Sequence, residues 1–198
     1  MKERPIAFSP EMVRAILDGH KTMTRRVVKP QPDGEGLSKL IDGPWMDTSE
    51  QIFRCPHGEP GMKLWVRETC AFVECGSTPS GTPIDPFIVY FADGASLETL
   101  RHYGYFVERW IPSRFMPRRA SRILLEIESV RVERVQAISE ADAHKEGCPG
   151  DVEFNGVATP LCSDWFRELW NTIHKAKPEH QWDANPWVWA ISFRRAES

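Results

Sequence analysis

Residues Ile123 to Val135, ILLEIESVRVERV, form the longest alternating run in the chain. Leu124 stands opposite Leu125, after which Ile127 falls on one face and Glu126 and Glu128 on the other, the period of two that a half-buried strand requires. Downstream, Ser139 is placed to cap a short helix over 140–146 that Gly147 stops, and Ser163 to cap an amphipathic helix over 164–174 carrying Trp165, Phe166, Leu169, Trp170 and Ile173. Trp187 to Arg194 (WVWAISFR) reads as a closing strand. Upstream, Met62 to Val73 reads as one strand and Phe87 to Ala92 as another, with Asp93-Gly94 as a turn. Before these, Ser9, Pro10 and the apolar set Met12, Val13, Ile16 and Leu17 predict a helix that stops at Gly19, and a strand follows over 23–28. Residues 30–61 are rich in Pro, Gly and Asp and show no lasting period, so an irregular excursion is expected there. Several strands interleaved with three short helices, without βαβ spacing, predict an α+β domain built on a small curved sheet or barrel.

At 198 residues, with 41% hydrophobic and 27% charged content, the chain has the length and composition of one globular domain with a sizeable core. It contains no apolar run of membrane-spanning length, and MKERPIAF at the N-terminus lacks the apolar region of a secretory signal. The expected setting is the cytoplasm, with no membrane partner. Five cysteines at irregular spacing (Cys55, Cys70, Cys75, Cys148, Cys162) are then expected as free thiols. A zinc site from Cys55, His57, Cys70 and Cys75 would need spacings that fit no common knuckle, so no metal is expected. The net charge of −3 argues against a general polyanion binder, but the basic residues are unevenly spread. Residues 109–134 hold seven arginines, among them Arg118, Arg119 and Arg122, against three glutamates, and residues 1–30 hold seven Lys or Arg against three acids. Brought together they would line a cationic groove; left apart they are solvated arginines.

The run Gly19-His20-Lys21-Thr22-Met23-Thr24-Arg25-Arg26 is the densest chemistry in the sequence. If a strand begins at Met23, Thr22, Thr24 and Arg26 share one face and Met23, Arg25 and Val27 the other. A threonine hydroxyl becomes nucleophilic beside an amine whose pKa is lowered by burial or by cations such as Arg25 and Arg26. The same residues could equally complement the carbonyls of a helix end. Glu146, an acid at a helix C-terminus where the dipole disfavours it, is a candidate acid or base. Glu68 is a second acid that points inward if 62–73 is a strand, as a site residue or as a buried partner of an arginine. Among eight tryptophans, Trp65 is one that could stack on a base, while Trp165 and Trp170 fall on the core face of their helix. The loop Gln181-Trp182-Asp183-Ala184-Asn185-Pro186-Trp187 brings Asn185 and Trp187 together as a possible reader of a base edge.

The motif Gly19-x-Lys21-Thr22-x-Thr24-x-Arg26, the PGMKLWVRE run from Pro60 to Glu68, the Ile138-Ser139-Glu140 helix ending in Glu146-Gly147 and the terminal WVWAISF run together resemble the ASCH family of the PUA-like superfamily. With MPRRASR at 116–122 and WDANPWVW at 182–189, the chain looks like a longer phage or prophage type. The resemblance implies one PUA-like domain over 1–198, a small mixed β-barrel with flanking short helices, and long inserts at about 30–60 and 75–120. It implies a cleft for RNA or a modified nucleoside or nucleotide. The family's N4-acetylcytidine amidohydrolases use a lysine, a threonine and a glutamate that match Lys21, Thr24 and Glu146. No metal or cofactor is then required, and Arg26 or backbone amides would hold the oxyanion. A module that binds RNA or a nucleotide without chemistry is the alternative reading, and ribonuclease activity a further one, although no histidine pair is placed for in-line cleavage.

Overall fold

The computed structural model describes residues 3–33, 36–40, 44–74, 76–77, 83–150 and 161–196. In chain order its elements are β1 (Glu3–Ala7), α1 (Pro10–Leu17), β2 (Met23–Val27), β3 (Ser38–Lys39), β4 (Trp45–Met46), β5 (Ile52–Phe53), β6 (Lys63–Arg67) and β7 (Cys70–Val73). There follow β8 (Gly76–Ser77), β9 (Pro83–Ile84), β10 (Phe87–Tyr90), α2 (Leu97–His102), β11 (Leu124–Arg134), α3 (Glu140–Lys145), α4 (Cys162–Ile173) and β12 (Trp187–Arg195). The protein is α+β, and it divides into two compact units.

The first unit comprises Met1–Asp18, Lys63–Leu125 and Arg195–Ser198. Strand β1 pairs in parallel with β6, with Arg4 opposite Leu64 and Ile6 opposite Val66, and α1 supplies part of the crossover that parallel pairing needs. Pro5, which has no N–H to give, is tolerated in β1 because that strand has β6 as its one partner. The expected single strand over 62–73 is in fact two. Glu68 and Thr69 interrupt it, the Glu68 amide donating to Met116 Sδ and the Thr69 carbonyl accepting from the Phe91 amide, and the chain then changes partner so that β7 pairs with β10. A buried group of Cys70, Met116 and Ala120 packs with Phe72, Ile88, Tyr90 and Ile111 beside this hairpin.

The second unit comprises Gly19–Met62 and Glu126–Arg194. Here the long run that opens this account forms β11 as expected, with Ser129 hydrogen bonded to Ser192 of β12, and β12 pairs antiparallel with β2. Met23, Arg25 and Val27 face α3 and α4, where Val135, Ile138, Ala143, Phe166, Trp170 and Val188 form the core. Helix α4 starts at Cys162, earlier than expected, because Ser163 is not its cap. Its free Ser163 amide is taken instead by the Glu140 carboxylate of α3, at 3.2 and 3.4 Å. The excursion over 30–61 is not wholly irregular: β3, β4 and β5 form a three-stranded antiparallel sheet whose two-residue strands are too short to show a period.

The expected barrel is not formed. Among the described residues β1 pairs only with β6 and β2 only with β12, so each unit keeps an open edge. The expectation of free thiols is likewise corrected at Cys148 and Cys162, which are joined in a disulfide; Cys75 lies outside the described residues. No helix among the described residues is long and apolar enough to cross a membrane.

Candidate functional site

Gly19, with φ of +79°, ends the turn after α1, and four residues on, at Met23, the chain enters β2. The segment between is held on both sides. The Thr22 amide donates to the Lys145 carbonyl at the end of α3, and the Thr22 carbonyl accepts from the Phe193 amide of β12. Between these anchors the Lys21 side chain turns inward and is 1% exposed. Its Nζ donates to the Met23 carbonyl, to the Glu146 carbonyl and to Glu146 Oε2, each at 2.7 Å. Because the Met23 carbonyl belongs to the peptide that leads into Thr24, this bond holds the amine within about one peptide unit of that residue. Thr24 is itself buried, opposite Ile191 in the β2–β12 register.

Glu146 is the C-cap of α3, in helical geometry, with Gly147 at φ of +98° after it. An acid there is disfavoured by the helix dipole but balanced by the ammonium of Lys21, which meets both its carboxylate and its carbonyl. The second carboxylate oxygen, Oε1, accepts from Arg25 Nη1 at 3.2 Å. The same guanidinium reaches Glu133 through Nε and Nη2 and Asp142 through Nη2 at 3.1 Å, and lies 5.7 Å from the Phe166 ring. Arg25 therefore fixes the orientation of Glu146. Burial pushes the Lys21 ammonium below its ordinary pKa; the Glu146 carboxylate draws it back up, and Arg26 and Arg25 add to the lowering. Arg26, half-buried, shares the Thr24 face of β2, opposite Trp189, and lies within electrostatic reach of Glu146.

The remaining candidates divide by unit. In the first, Glu68 accepts a two-pronged bond from Arg122 at 2.9 and 3.0 Å, and Arg122 also grips Asp93 and covers the Tyr90 ring at 3.8 Å. Burial opposes the Arg122 charge, yet the hydrogen bonds to Glu68 and Asp93 raise its pKa above the ordinary arginine value. Glu68 is thus the buried partner of an arginine. Arg118 pairs with Glu3 at 2.7 Å and lies over Trp65, which Arg67 also covers; Arg119 lies over Phe72. In the second unit, Asn185 adopts a left-handed φ of +46° and its Oδ1 accepts from the Gln136 amide. The Trp187 ring faces Arg134 at 4.3 Å, and its Nε1 is buried with no partner among the described residues. The structure brings together Lys21, Glu146 and Arg26 next to Thr24. Sequence reasoning missed Arg25, Glu133 and Asp142 as the frame of this group; the one available signal was that Arg25 shares a predicted strand face with the apolar Met23 and Val27.

Neither the scan of protein-family models nor the search of curated proteins found a match to the chain. Among solved structures, the chain is similar to a protein of Enterococcus faecalis V583 described under family model DUF984, at 10% identity and a TM-score of 0.43, over 99% of this chain and 82% of that one. It is also similar to an ASCH domain of Lactobacillus crispatus JV V101, at 12% identity and a TM-score of 0.44, over 98% of this chain and 79% of that one.

Proposed function

We propose that this protein is an amidohydrolase that removes an acyl group from the exocyclic nitrogen of a cytidine, with Thr24 as nucleophile, Lys21 as its base and Glu146 as the acid. The observation that carries the reading is the buried contact of Lys21 Nζ with Glu146 Oε2 at 2.7 Å, one peptide from Thr24. The motif resemblance supports the same three residues. Burial lowers the Lys21 pKa, and passage of one of its protons along the contact to Glu146 leaves a neutral amine and a carboxylic acid. The amine then takes the Thr24 proton as the hydroxyl oxygen attacks the amide carbonyl, and the Glu146 acid protonates the departing cytosine nitrogen. An ester on Thr24 and the original ion pair remain. Glu146 next takes a proton from water, the hydroxide attacks the ester, and Lys21 returns a proton to the Thr24 oxygen as the carboxylic acid leaves. Transfer back from Glu146 to Lys21 restores the ion pair. Arg26 shares the Thr24 face of β2, which supports its role in holding the oxyanion in this reading.

One observation favours a second reading, a nucleotide-binding module without chemistry. The three ammonium protons of Lys21 match three acceptors at 2.7 Å, as they would in a purely structural anchor. Turnover of N4-acetylcytidine to cytidine and acetate, followed by chromatography, separates the two. The wild-type chain is expected to turn over and Thr24→Val to fall by at least about 10³-fold with its fold retained, the size of loss seen when a nucleophile is removed. Lys21→Met should fall as far. A folded wild type that releases no cytidine, or a Thr24→Val protein that keeps its rate, overturns the amidohydrolase reading.

A further inference from the structure

The short sheet of β3, β4 and β5 forms part of a concave surface within the second unit. Its registers set Lys39 opposite Trp45 and Trp45 opposite Phe53, so the three side chains stand in one row on one face of the β3–β4–β5 sheet. That row lines a cavity of 330 Å³ whose further walls include Arg54, Glu59 and Val130 of β11. The volume falls at the lower end of small-molecule sites, about 300–1,000 Å³. Lys39 Nζ lies 5.9 Å from the Trp45 ring, and the Trp45 ring meets Trp189 edge-on with centroids 6.2 Å apart. Trp189 is buried and does not line the cavity; it is the cross-strand neighbour of Arg26, so Trp45 packs against a core ring of the face that carries Arg26 and Thr24. The cations at this cavity outnumber its acids. Glu59 is 4.0 Å from Arg54 with both side chains largely exposed, a pair too weak to neutralise the arginine.

An aromatic platform flanked by two cations matches one ligand chemistry closely: a flat heterocycle that carries a phosphate. We infer that this cavity binds a nucleotide, its base against Trp45 and its phosphate held by Lys39 and Arg54, and that the substrate is accordingly a modified cytidine within an RNA strand, with a neighbouring nucleotide in the cavity. The inference rests on the amidohydrolase reading for the modified base, while the cavity's own binding is measured apart from turnover.

The test is fluorescence anisotropy of a 5′-labelled hexacytidylate titrated with the full chain. Trp45→Ala should weaken binding at least about tenfold and Trp45→Phe should keep most of it, because stacking tolerates a change of ring. Lys39→Gln with Arg54→Gln should weaken binding and lower the slope of log Kd against log salt by about 1 to 2. Wild-type affinity in Trp45→Ala, or an unchanged salt slope in the double variant, overturns the cavity assignment even if N4-acetylcytidine is hydrolysed. Loss of binding in these variants together with a wild type inert on N4-acetylcytidine supports the nucleotide site and removes the amidohydrolase.

Discussion

Arg25 is the residue on which the second unit's acids converge. Its guanidinium meets Glu133, Asp142 and Glu146, carboxylates 108, 117 and 121 residues away, and its own side chain is fully buried. Removing the cation leaves three carboxylates facing one another with Lys21 and Arg131 as the neighbouring cations. Breaking a buried charge network from one side costs about 3–5 kcal/mol, and Arg131, which also holds Asp142 and Glu133, places this case at the lower end. Arg25→Met should therefore lower stability in urea by about 3 kcal/mol. Arg25→Lys should recover only part of it, because one point charge cannot span three carboxylates. A loss below 1 kcal/mol for Arg25→Met would show that the network is held together by Arg131. The sequence allowed Arg25 to be put on one strand face with Met23 and Val27. It did not allow its partners to be named, because contacts that distant depend on the β11–β12–β2 order and on α3, which no local pattern encodes.

At the scale of elements, α3 carries most of the site's geometry on six residues. Ser139 starts it, its hydroxyl accepting from the Asp142 amide at 3.1 Å; Glu140 caps α4; Asp142 meets Arg25; Glu146 ends it at Lys21. A helix this short is not stable by propensity and depends on its caps. Ser139→Ala should cost about 1 kcal/mol, seen as a lower thermal midpoint with the disulfide intact. An unchanged midpoint would mean that packing against α4 alone sustains the helix. Elements with strong local signals, α1, α3, β2, β11 and β12, were legible to within a residue or two because caps, glycine stops and alternation mark them. Others were not. β1 carries a proline and is held by pairing with β6; α2 has six residues, too few to show an amphipathic period; and the break at Glu68 is set by Arg122 and Met116, 54 and 48 residues away.

At the scale of the whole molecule, the uneven basic charge noted in the sequence is partly compensated within each unit. Arg118, Arg122 and Arg131 of one basic run and Lys21 and Arg25 of the other pair with acids, so counting basic residues alone overstated a cationic surface. A further group of basic side chains lies around the end of α4. His174 stacks on Trp170 at 4.4 Å and has His180, Lys29, Arg26 and Lys177 around it. Burial, and then these positive neighbours, push its pKa down to about 4. The folded protein therefore binds fewer protons at this site than the unfolded chain between about pH 4 and pH 6.5. Stability contributed by His174 is complete above pH 6.5 and is lost as pH falls toward 4. His180, lowered by burial first, acts in the same direction, whereas Asp142 and Asp47, whose pKa values are lowered, lose their contribution only below about pH 4. The acid limb of the stability curve should accordingly have an upper portion due to histidine and a lower one due to carboxylates. His174→Gln should flatten the upper portion between pH 6.5 and 4 by on the order of 2 kcal/mol, once partial exposure is allowed for, and leave the lower portion in place. An upper portion of unchanged slope in His174→Gln, measured by urea unfolding at half-unit pH steps, would assign it to His180 and the cations around it instead.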